Sequence, residues 1–445
     1  MLVVGCLCIQ GNDSLIDFSK LPDLIAIALL TCAFASVARR NDHPGGGLWL
    51  LGWCMIALHF IAQMLTGLHG WTGTLSVLLT LSTLIWAGTL FMRATVAYRH
   101  ERASRWMSAS FLGASTFYIA TWLYWPASAW MHNVAAALLA ILPLVIVYSQ
   151  QRRKQHRLRW AFVTQNCVLA VTLLIMQQML SQPVDLVFNV LLFSTYFGCC
   201  YHFAAYYRKL TTGAFISLFG FLAWSLVFVL APLLRTWFPH LAVEDEVWNL
   251  PKYVAAVGMI LLVLERQVEH NEYLALHDDL TGLPNRRLFQ DRLQNALARA
   301  RRHRQHTALL LIDLNHFKQV NDELGHHIGD MLLKRVGAIF QVRIRCSDTV
   351  ARTGGDEFAV ILEEPISRTD AERVAQTLAE LLEEPIELGD YTVRTGASIG
   401  IAMFPEDAST PETLAIAADQ RMYHVKHEHR QMEEDSLALL TDELS

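Results

Sequence analysis

Charge is scarce in this 445-residue chain: Asp, Glu, Lys and Arg make up 17% of it, against 53% hydrophobic residues. That balance excludes a wholly soluble protein and implies a membrane portion. The formal net charge of -5 leaves no basic excess, so the chain has no surface suited to nucleic acid and no nucleic-acid partner is expected. Its eight cysteines, Cys6, Cys8, Cys32, Cys54, Cys167, Cys199, Cys200 and Cys346, contain no Cys-x-x-Cys pair and no Cys/His cluster at zinc spacing. Most fall in apolar segments and read as small buried hydrophobes. Residues 1–10 hold an apolar run too short to cross a bilayer, with no basic stretch before it, so no ordinary cleaved signal peptide is read there. Paired Gly/Pro-interrupted spans and inverted repeats, the marks of many transporters, are not apparent.

What the first 265 residues do have is a series of apolar runs, each close to the ~20 residues a crossing takes. They fall at 21–38, 48–68, 71–92, 106–125, 130–149, 160–180, 186–205, 213–234 and 253–264, about nine in all, the last being the shortest. Basic residues follow every second run: Arg39 and Arg40, then Arg93, Arg99, Arg102 and Arg105, then Arg152, Arg153, Lys154, Arg157 and Arg159, then Arg208 and Lys209. The opposite loops carry Arg235 and Lys252, and the one at 236–249 holds Glu244, Asp245 and Glu246. Because basic loops stay on the cytoplasmic side, this alternation predicts an external N-terminus and a cytoplasmic C-terminus. Trp71, Trp106, Trp125, Trp130 and Trp160 sit at span ends as interfacial anchors. His59, His132 and His202 lie within spans, where they would either bind a metal or haem or make interhelical hydrogen bonds; with no pair at i, i+4 on one helix, the hydrogen bond is the preferred reading.

Leu261, Leu264, Val268, Asn271 and Ala275 recur at steps of three and four, so the last run is expected to continue as a helix beyond the bilayer. Its apolar stripe is either the seam of a coiled coil with a second copy, interrupted at Asn271, or one face of a single helix.

Further on, Arg352-Thr353-Gly354-Gly355-Asp356-Glu357-Phe358 stands between two short apolar runs and reads as a turn joining strands at 348–351 and 358–362. Gly354 and Gly355 can take positive φ and have no Cβ, so a phosphate or base can approach the backbone, while Asp356 and Glu357 supply hard oxygen ligands. Upstream, Ala308 to Ile312 is a continuous apolar run ending in Asp313, a buried strand with a carboxylate at its exit.

These features come with others in a fixed order: Asp278-Asp279-Leu280-Thr281-Gly282-Leu283-Pro284-Asn285-Arg286-Arg287, Asp313 through Lys318, Asn321-Asp322, Gly325 through Asp330, Ser398 through Ala402, and Ala418-Asp419 with Tyr423 and Lys426. Together they resemble the GGDEF family of diguanylate cyclases, which join two GTP molecules into cyclic di-GMP. The resemblance implies an α-helical membrane bundle followed by an α/β nucleotide-cyclase-like domain with a mainly antiparallel central sheet. It also implies catalytic roles for Asp356 and Glu357, and Mg²⁺ (or Mn²⁺) held by Asp313, Asp356 and the backbone carbonyl of Leu314. GTP would be bound through Asn321 and Asp330 at the guanine, through Lys318, Lys426 and Arg430 at the phosphates, and across Gly354 and Gly355. Asn315 stands where the family often has a second aspartate, and His429-Arg430-Gln431 where it has Gly-Arg-Asn, which leaves less negative charge at the metal and a weaker case for Arg430. Arg345 and Asp348 match the family's inhibitory product site, with Arg373, on a helix expected at 369–382, as a further contact.

The domain reading is an N-terminal segment at 1–20 with no assigned role, a multi-span sensor at 21–265, a signalling helix at 266–277, the cyclase-like domain at 278–431 and an acidic tail at 432–445. The implied protein is a homodimer in the bacterial inner membrane with its C-terminal domain in the cytoplasm, taking GTP as substrate and cyclic di-GMP as product and inhibitor. Two rivals are a catalytically dead receptor for GTP or cyclic di-GMP and a transporter with an accessory nucleotide domain; the intact Asp313 and turn favour the enzyme.

Overall fold

The computed structural model describes residues 16–39, 45–95, 102–149, 157–179, 184–207, 209–238, 240, 243, 245–363 and 366–442. Residues 1–15 and several of the loop arginines used for orientation, Arg40, Arg99, Arg152, Arg153 and Arg208, lie outside this set. The chain divides into two compact units, Met1–Val268 and Glu269–Ser445.

Among the described residues the first unit is all helical: a 3-10 turn at Phe18–Lys20, then α1 (Leu21–Arg39), α2 (Gly46–Met64), α3 (Trp71–Ala94), α4 (Arg102–Tyr124), α5 (Ala129–Ser149), α6 (Arg157–Met179), α7 (Val184–Tyr206), α8 (Thr212–Trp237) and α9 (Asp245–Leu276). Eight of these nine are long and apolar enough to cross a membrane. The exception, α4, is diluted by serine and threonine. Their hydroxyls bond back to the helix's own carbonyls, as Ser110 does to Met107, Thr116 to Leu112 and Thr121 to Tyr118, so these donors are met within α4 where it packs against α3 and α5. The central α3 uses the same device at Thr80, Thr83 and Thr89. A continuous core of large side chains, Trp49, Trp53, Phe60, Phe91, Tyr196, Phe203, Phe221 and Trp224 among them, joins the bundle. The cysteines are less uniformly buried than expected: Cys199 is enclosed, whereas Cys32 and Cys54 lie on outward helix faces and Cys346 on the surface of the second unit.

The α8–α9 pair is the tightest in the bundle by the test of its glycines. A Cβ on Gly220 would fall 2.5 Å from the Ala255 nitrogen, and one on Gly258 2.4 Å from the Ser217 nitrogen, so the two backbones touch. At the start of α8 the Glu265 carboxylate accepts the Gly213 N–H at 2.9 Å, satisfying one of the orphan donors of the first turn. Two sequence expectations need correction here. The last span is not short but belongs to a 32-residue helix, and Lys252, read as a loop residue, is 1% exposed inside that helix. The ammonium group of Lys252 donates to Asn249 Oδ1 at 2.6 Å and lies 4.8 Å from the Phe60 ring centre. Asn249 in turn donates to Asp23 Oδ2 at 2.7 Å, and the Tyr253 hydroxyl donates to Asp23 Oδ1. Polar residues at span ends look like flanks in a sequence; paired across helices they are enclosed instead. Asp23→Ala strands the Asn249 amide and the Tyr253 hydroxyl, each an unmet donor worth about 1–3 kcal/mol. The purified protein should therefore melt several degrees lower, and an unchanged melting curve would dissolve this cluster's structural role.

The three span histidines divide. His59 Nδ1 donates to the Thr80 carbonyl at 2.8 Å, an interhelical bond between α2 and α3. His132 accepts from Gln177 at 3.0 Å and stacks on Trp122 with ring centres 3.9 Å apart. His202 is buried between the rings of Phe162 and Tyr201.

The second unit contains α10 (Arg286–His303), β1 (Thr307–Asn315), α11 (Phe317–Leu324), α12 (His326–Arg343), β2 (Thr349–Arg352), β3 (Glu357–Leu362), α13 (Arg368–Glu383), β4 (Ile386–Leu388), β5 (Tyr391–Val393), β6 (Gly396–Phe404) and α14 (Pro411–Asp442). The main sheet runs β2-β3-β1-β6, every neighbour antiparallel, and β4-β5 is a separate hairpin. Strand β1 reads as a continuous apolar run because both faces are covered. Leu310, Ile312 and Leu314 face α12 and α13 in one core layer, and Leu309 faces α10 and α14 in the other.

Helix α14 is tied to the sheet through Asp407. That carboxylate accepts two bonds at 2.7 Å from Arg421 of α14, two from Arg368 at 2.8 and 2.9 Å, and the Met403 N–H at 2.7 Å. The Arg421 guanidinium, with Met403 and Arg368, outweighs burial and holds Asp407 well below the usual carboxylate range. A depressed folded-state pKa means the stabilisation is complete above the unfolded value of about 3.9 and is lost as pH falls through the lower folded value. Asp407→Asn should lower stability by about 2 kcal/mol at neutral pH, with the gap from wild type closing in strong acid. A gap independent of pH would show that the charge contributes nothing.

Candidate active site

The Gly-Gly turn is built by the β2–β3 hairpin. Arg352 pairs with Phe358 across the ladder, and the Thr353 N–H donates to the Glu357 carbonyl at 3.0 Å, which closes the turn. The ends differ by one residue from those expected, with β2 at Thr349–Arg352 and β3 at Glu357–Leu362. Neither Gly354 nor Gly355 uses the positive φ that glycine permits. Gly354 lies under a carboxylate, since a Cβ there would fall 2.6 Å from Glu357 Oε2 at the end of its flexible side chain, while around Gly355 the space is open.

Asp278 and Arg352 stand in the sequence motifs without a role of their own. The structure joins them. Arg352 Nη1 donates to both Asp278 oxygens at 2.9 and 3.0 Å, and its Nη2 and Nε donate to the Gly355 carbonyl at 2.8 and 3.1 Å. One guanidinium thus fastens the turn to the segment before α10. Burial alone would raise the Asp278 carboxyl, but Thr281 and Arg352 donate to it and the net effect is downward. The two residues are 74 apart in sequence; the only local signal was an arginine beside a turn.

Register then places the carboxylates. Asp313 lies directly opposite Glu357 on β3 and opposite Ser398 on β6. Residues paired across a sheet share a face, so the Asp313 and Glu357 side chains stand on one side, and the Leu314 N–H donates to the Asp356 carbonyl at 3.3 Å. Two like charges side by side need a cation between or beside them. One is present: Lys426 Nζ of α14 reaches Asp313 Oδ1 at 2.6 Å, where Asp313 is 7% exposed.

No group of three or more His, Cys, Asp or Glu among the described residues is arranged to hold a metal alone. An all-oxygen set of one or two carboxylates and a carbonyl, completed by substrate phosphates and water, is nevertheless how Mg²⁺ is commonly held. Asp313, Asp356 and the Leu314 carbonyl fit such an ion, and the ammonium group already seated on Asp313 marks a place where positive charge is favoured.

Beyond β1, α11 and α12 fold back on one another at Gly325, whose φ of +85° suits glycine. This brings Asn321 against Gly329, where a Cβ would fall 2.0 Å from Asn321 Oδ1; Asp330, the next residue along α12, is exposed. Lys318 is exposed in the first turn of α11. Asn315 accepts from the Ser398 hydroxyl at 2.9 Å and faces His429 Nδ1 at 3.4 Å. Arg430 continues the α14 backbone, and its side chain lies outside the described residues. A groove of about 1090 Å³ between α10 and α14, unforeseen in the sequence, is lined by Arg286, Gln290, Thr353, Glu357, Asp419 and Met422 among others. It meets the site at Glu357, whereas Asn321 and Asp330 are not part of its wall.

On the other side of β2, Asp348 Oδ1 accepts the Glu363 N–H at 2.9 Å, and the Asp348 N–H donates to the Arg345 carbonyl at 3.0 Å, forming a tight turn. Arg373 pairs with Asp370, which also closes the capping box of α13 with Ser367. Hydrogen bonds from Ser367 hold the Asp370 carboxyl below its ordinary value, and the charges of Arg373 and Arg345 add to the effect. Arg345 and Arg373 therefore act on a common neighbour, while Arg345 itself is exposed.

An antiparallel sheet with carboxylates at one strand end, beside a glycine hairpin, is an α/β domain of the nucleotide-cyclase kind. Residues 275–432 match the family described as "Diguanylate cyclase, GGDEF domain", and this part of the chain belongs to that family. Diguanylate cyclase TpbB of Pseudomonas aeruginosa is 46% identical over 157 residues, 35% of this chain and 36% of TpbB. The bifunctional diguanylate cyclase/cyclic di-GMP phosphodiesterase MucR of the same organism is 41% identical over 194 residues, 40% of this chain and 28% of MucR. The solved GGDEF domain of TpbB covers 34% of this chain and 89% of its own, at 46% identity and a TM-score of 0.34. The chain thus spans about a third of the length of these curated relatives.

Proposed function

We propose that the protein is a membrane-tethered diguanylate cyclase, acting as a homodimer. The observation that carries this is the pairing of Asp313 with Glu357 across β1 and β3, with Asp356 in the adjoining turn. Each GTP would give its 3′-hydroxyl to the α-phosphorus of the other. A P–O3′ bond forms, the bond to the β-phosphate breaks, pyrophosphate leaves, and the hydroxyl proton passes to Glu357 or to water. Bound at Asp313, Asp356 and the Leu314 carbonyl, Mg²⁺ or Mn²⁺ would neutralise triphosphate charge and lower the pKa of the attacking hydroxyl. Asn321 and Asp330 suit guanine, an amide for its acceptor edge and a carboxylate for its N–H donors. Lys318, Lys426 and Arg430 suit the phosphates, and beside Gly354 the open space around Gly355 leaves the backbone free for close approach.

One domain binds one GTP, so two half-sites must face each other, and their proximity supplies much of the rate. Leu264, Val268, Asn271 and Ala275 are exposed along α9, which supports pairing with a second copy. The alternating basic loops support an inner-membrane protein with its N-terminus outside and residues 278–431 in the cytoplasm, where GTP is found, with 21–265 as sensor and 266–277 as signalling helix. A nucleotide preference tests the reading first: the purified protein should turn over GTP with Mg²⁺ and leave ATP intact, and equal use of both would remove the guanine assignment.

Arg345, Asp348 and Arg373 would bind cyclic di-GMP as an inhibitor, guanidinium groups reading phosphate or guanine edges. Arg345→Ala should leave the initial rate within about twofold, since it lies outside the metal site, while shifting inhibition to at least tenfold higher product concentration. Equal inhibition of variant and wild type would make Arg345 a surface residue only.

A further inference from the structure

Lys426 and Asp313 are 113 residues apart and join α14 to the exit of β1 through a bond of 2.6 Å. The Asp313 side chain is 10% exposed and that of Lys426 38%, so the carboxylate is enclosed and the ammonium reaches it from the accessible side. Around them, Ser398 and Asn315 are neutral and bonded to one another, and His429 is turned toward Asn315. The nearest acid across the sheet is Glu357. A divalent ion on Asp313 and an ammonium group on the same carboxylate repel each other strongly in an enclosed place, because the two cations bring three positive charges to one carboxylate. The two cations therefore compete unless further negative charge arrives. A triphosphate brings that charge and is itself a partner for an ammonium group.

We infer that Lys426 holds Asp313 in the nucleotide-free protein and is handed over to the triphosphate when GTP binds, so that metal and nucleotide enter in a coupled exchange. The inference rests on the proposed reading that Asp313 carries the metal. Lys426 is then a positioning residue in two states: without nucleotide it keeps the enclosed carboxylate neutralised and excludes free metal, and with nucleotide it leaves the carboxylate to the ion. By reciprocity, whatever factor GTP adds to metal affinity, metal adds to GTP affinity.

The test is Mn²⁺ binding, followed by the paramagnetic signal of free Mn²⁺, to the full-length protein in lipid nanodiscs, with and without a non-hydrolysable GTP analogue. The wild type should bind Mn²⁺ weakly alone and at least tenfold more tightly with the analogue. Lys426→Met keeps the length of the side chain and removes its charge; without nucleotide it should bind Mn²⁺ about tenfold more tightly than wild type. Lys426→Arg should stay near wild type, and Asp313→Asn should abolish the Lys426→Met gain. Equal nucleotide-free affinities in wild type and Lys426→Met would overturn the inference, as would a gain that survives Asp313→Asn. Because these measurements need no turnover, a protein that makes no cyclic di-GMP can still show the exchange, and an active one can still lack it.

Discussion

Asp356→Ala is expected to lower cyclic di-GMP synthesis from GTP and Mg²⁺ to less than about one hundredth of the wild-type rate, while the protein stays folded. The size comes from removing a charged group placed against the reacting phosphates, an effect of at least about 10²-fold where such a group acts on the transition state. Folding survives because Asp356 lies in the turn, outside both strands, and belongs to neither core layer of its unit. The turn keeps its clamp as well, since Arg352 grips the Gly355 carbonyl and Asp278 and not the Asp356 carboxylate. Product analysis and a melting curve on the same preparation check both halves of the claim. Robust synthesis by the folded variant would refute the assignment of Asp356.

The second large effect is expected from changing the phase of α9. The helix is continuous from Asp245 to Leu276, and up to Glu265 it is fixed against α8 by backbone contact and by the bond to Gly213. Residues inserted after Gln267 therefore turn only the downstream part of the chain. One residue rotates the exposed stripe by about 100°, whereas seven return it to within about 20° of its original facing. If two copies meet along that stripe and the reaction needs two facing half-sites, a single insertion should silence the enzyme and seven should largely restore it. Assays of variants with one to seven inserted alanines would show the oscillation. Activity indifferent to insertion length would mean a flexible tether, with the membrane half as an anchor.

How much of the fold and site was legible in the sequence depended on the distance over which each feature is encoded. The hairpin was readable because its strands flank the turn directly, and β1 because a short apolar run ending in Asp313 suits a strand covered on both faces. The helical spans were readable from hydropathy alone, although α4 shows that hydroxyls satisfied within a helix can lower apparent apolarity without changing the helix. The pairings of Arg352 with Asp278, Lys426 with Asp313 and Asn249 with Asp23 were not legible. Each joins residues 74 to 226 positions apart, and their partners are chosen by packing, on which local spacing is silent. Lys252 was misplaced for the same reason, since a lysine at a span end looks like a flank until two neighbouring helices supply Asn249's acid and an aromatic wall. Gly354 and Gly355 marked the turn without fixing its geometry: glycine permits positive φ but does not require it, and here the Glu357 carboxylate lies over Gly354 while the space around Gly355 is open.

The most direct measurement is the fate of GTP on the purified full-length protein in lipid nanodiscs, with Mg²⁺ present or removed by chelation, and products identified by mass. A diguanylate cyclase yields cyclic di-GMP and two pyrophosphates for every two GTP consumed, dependent on the metal, and that is the expected result. GTP bound with Mg²⁺ but recovered unchanged would contradict it and leave a receptor in its place.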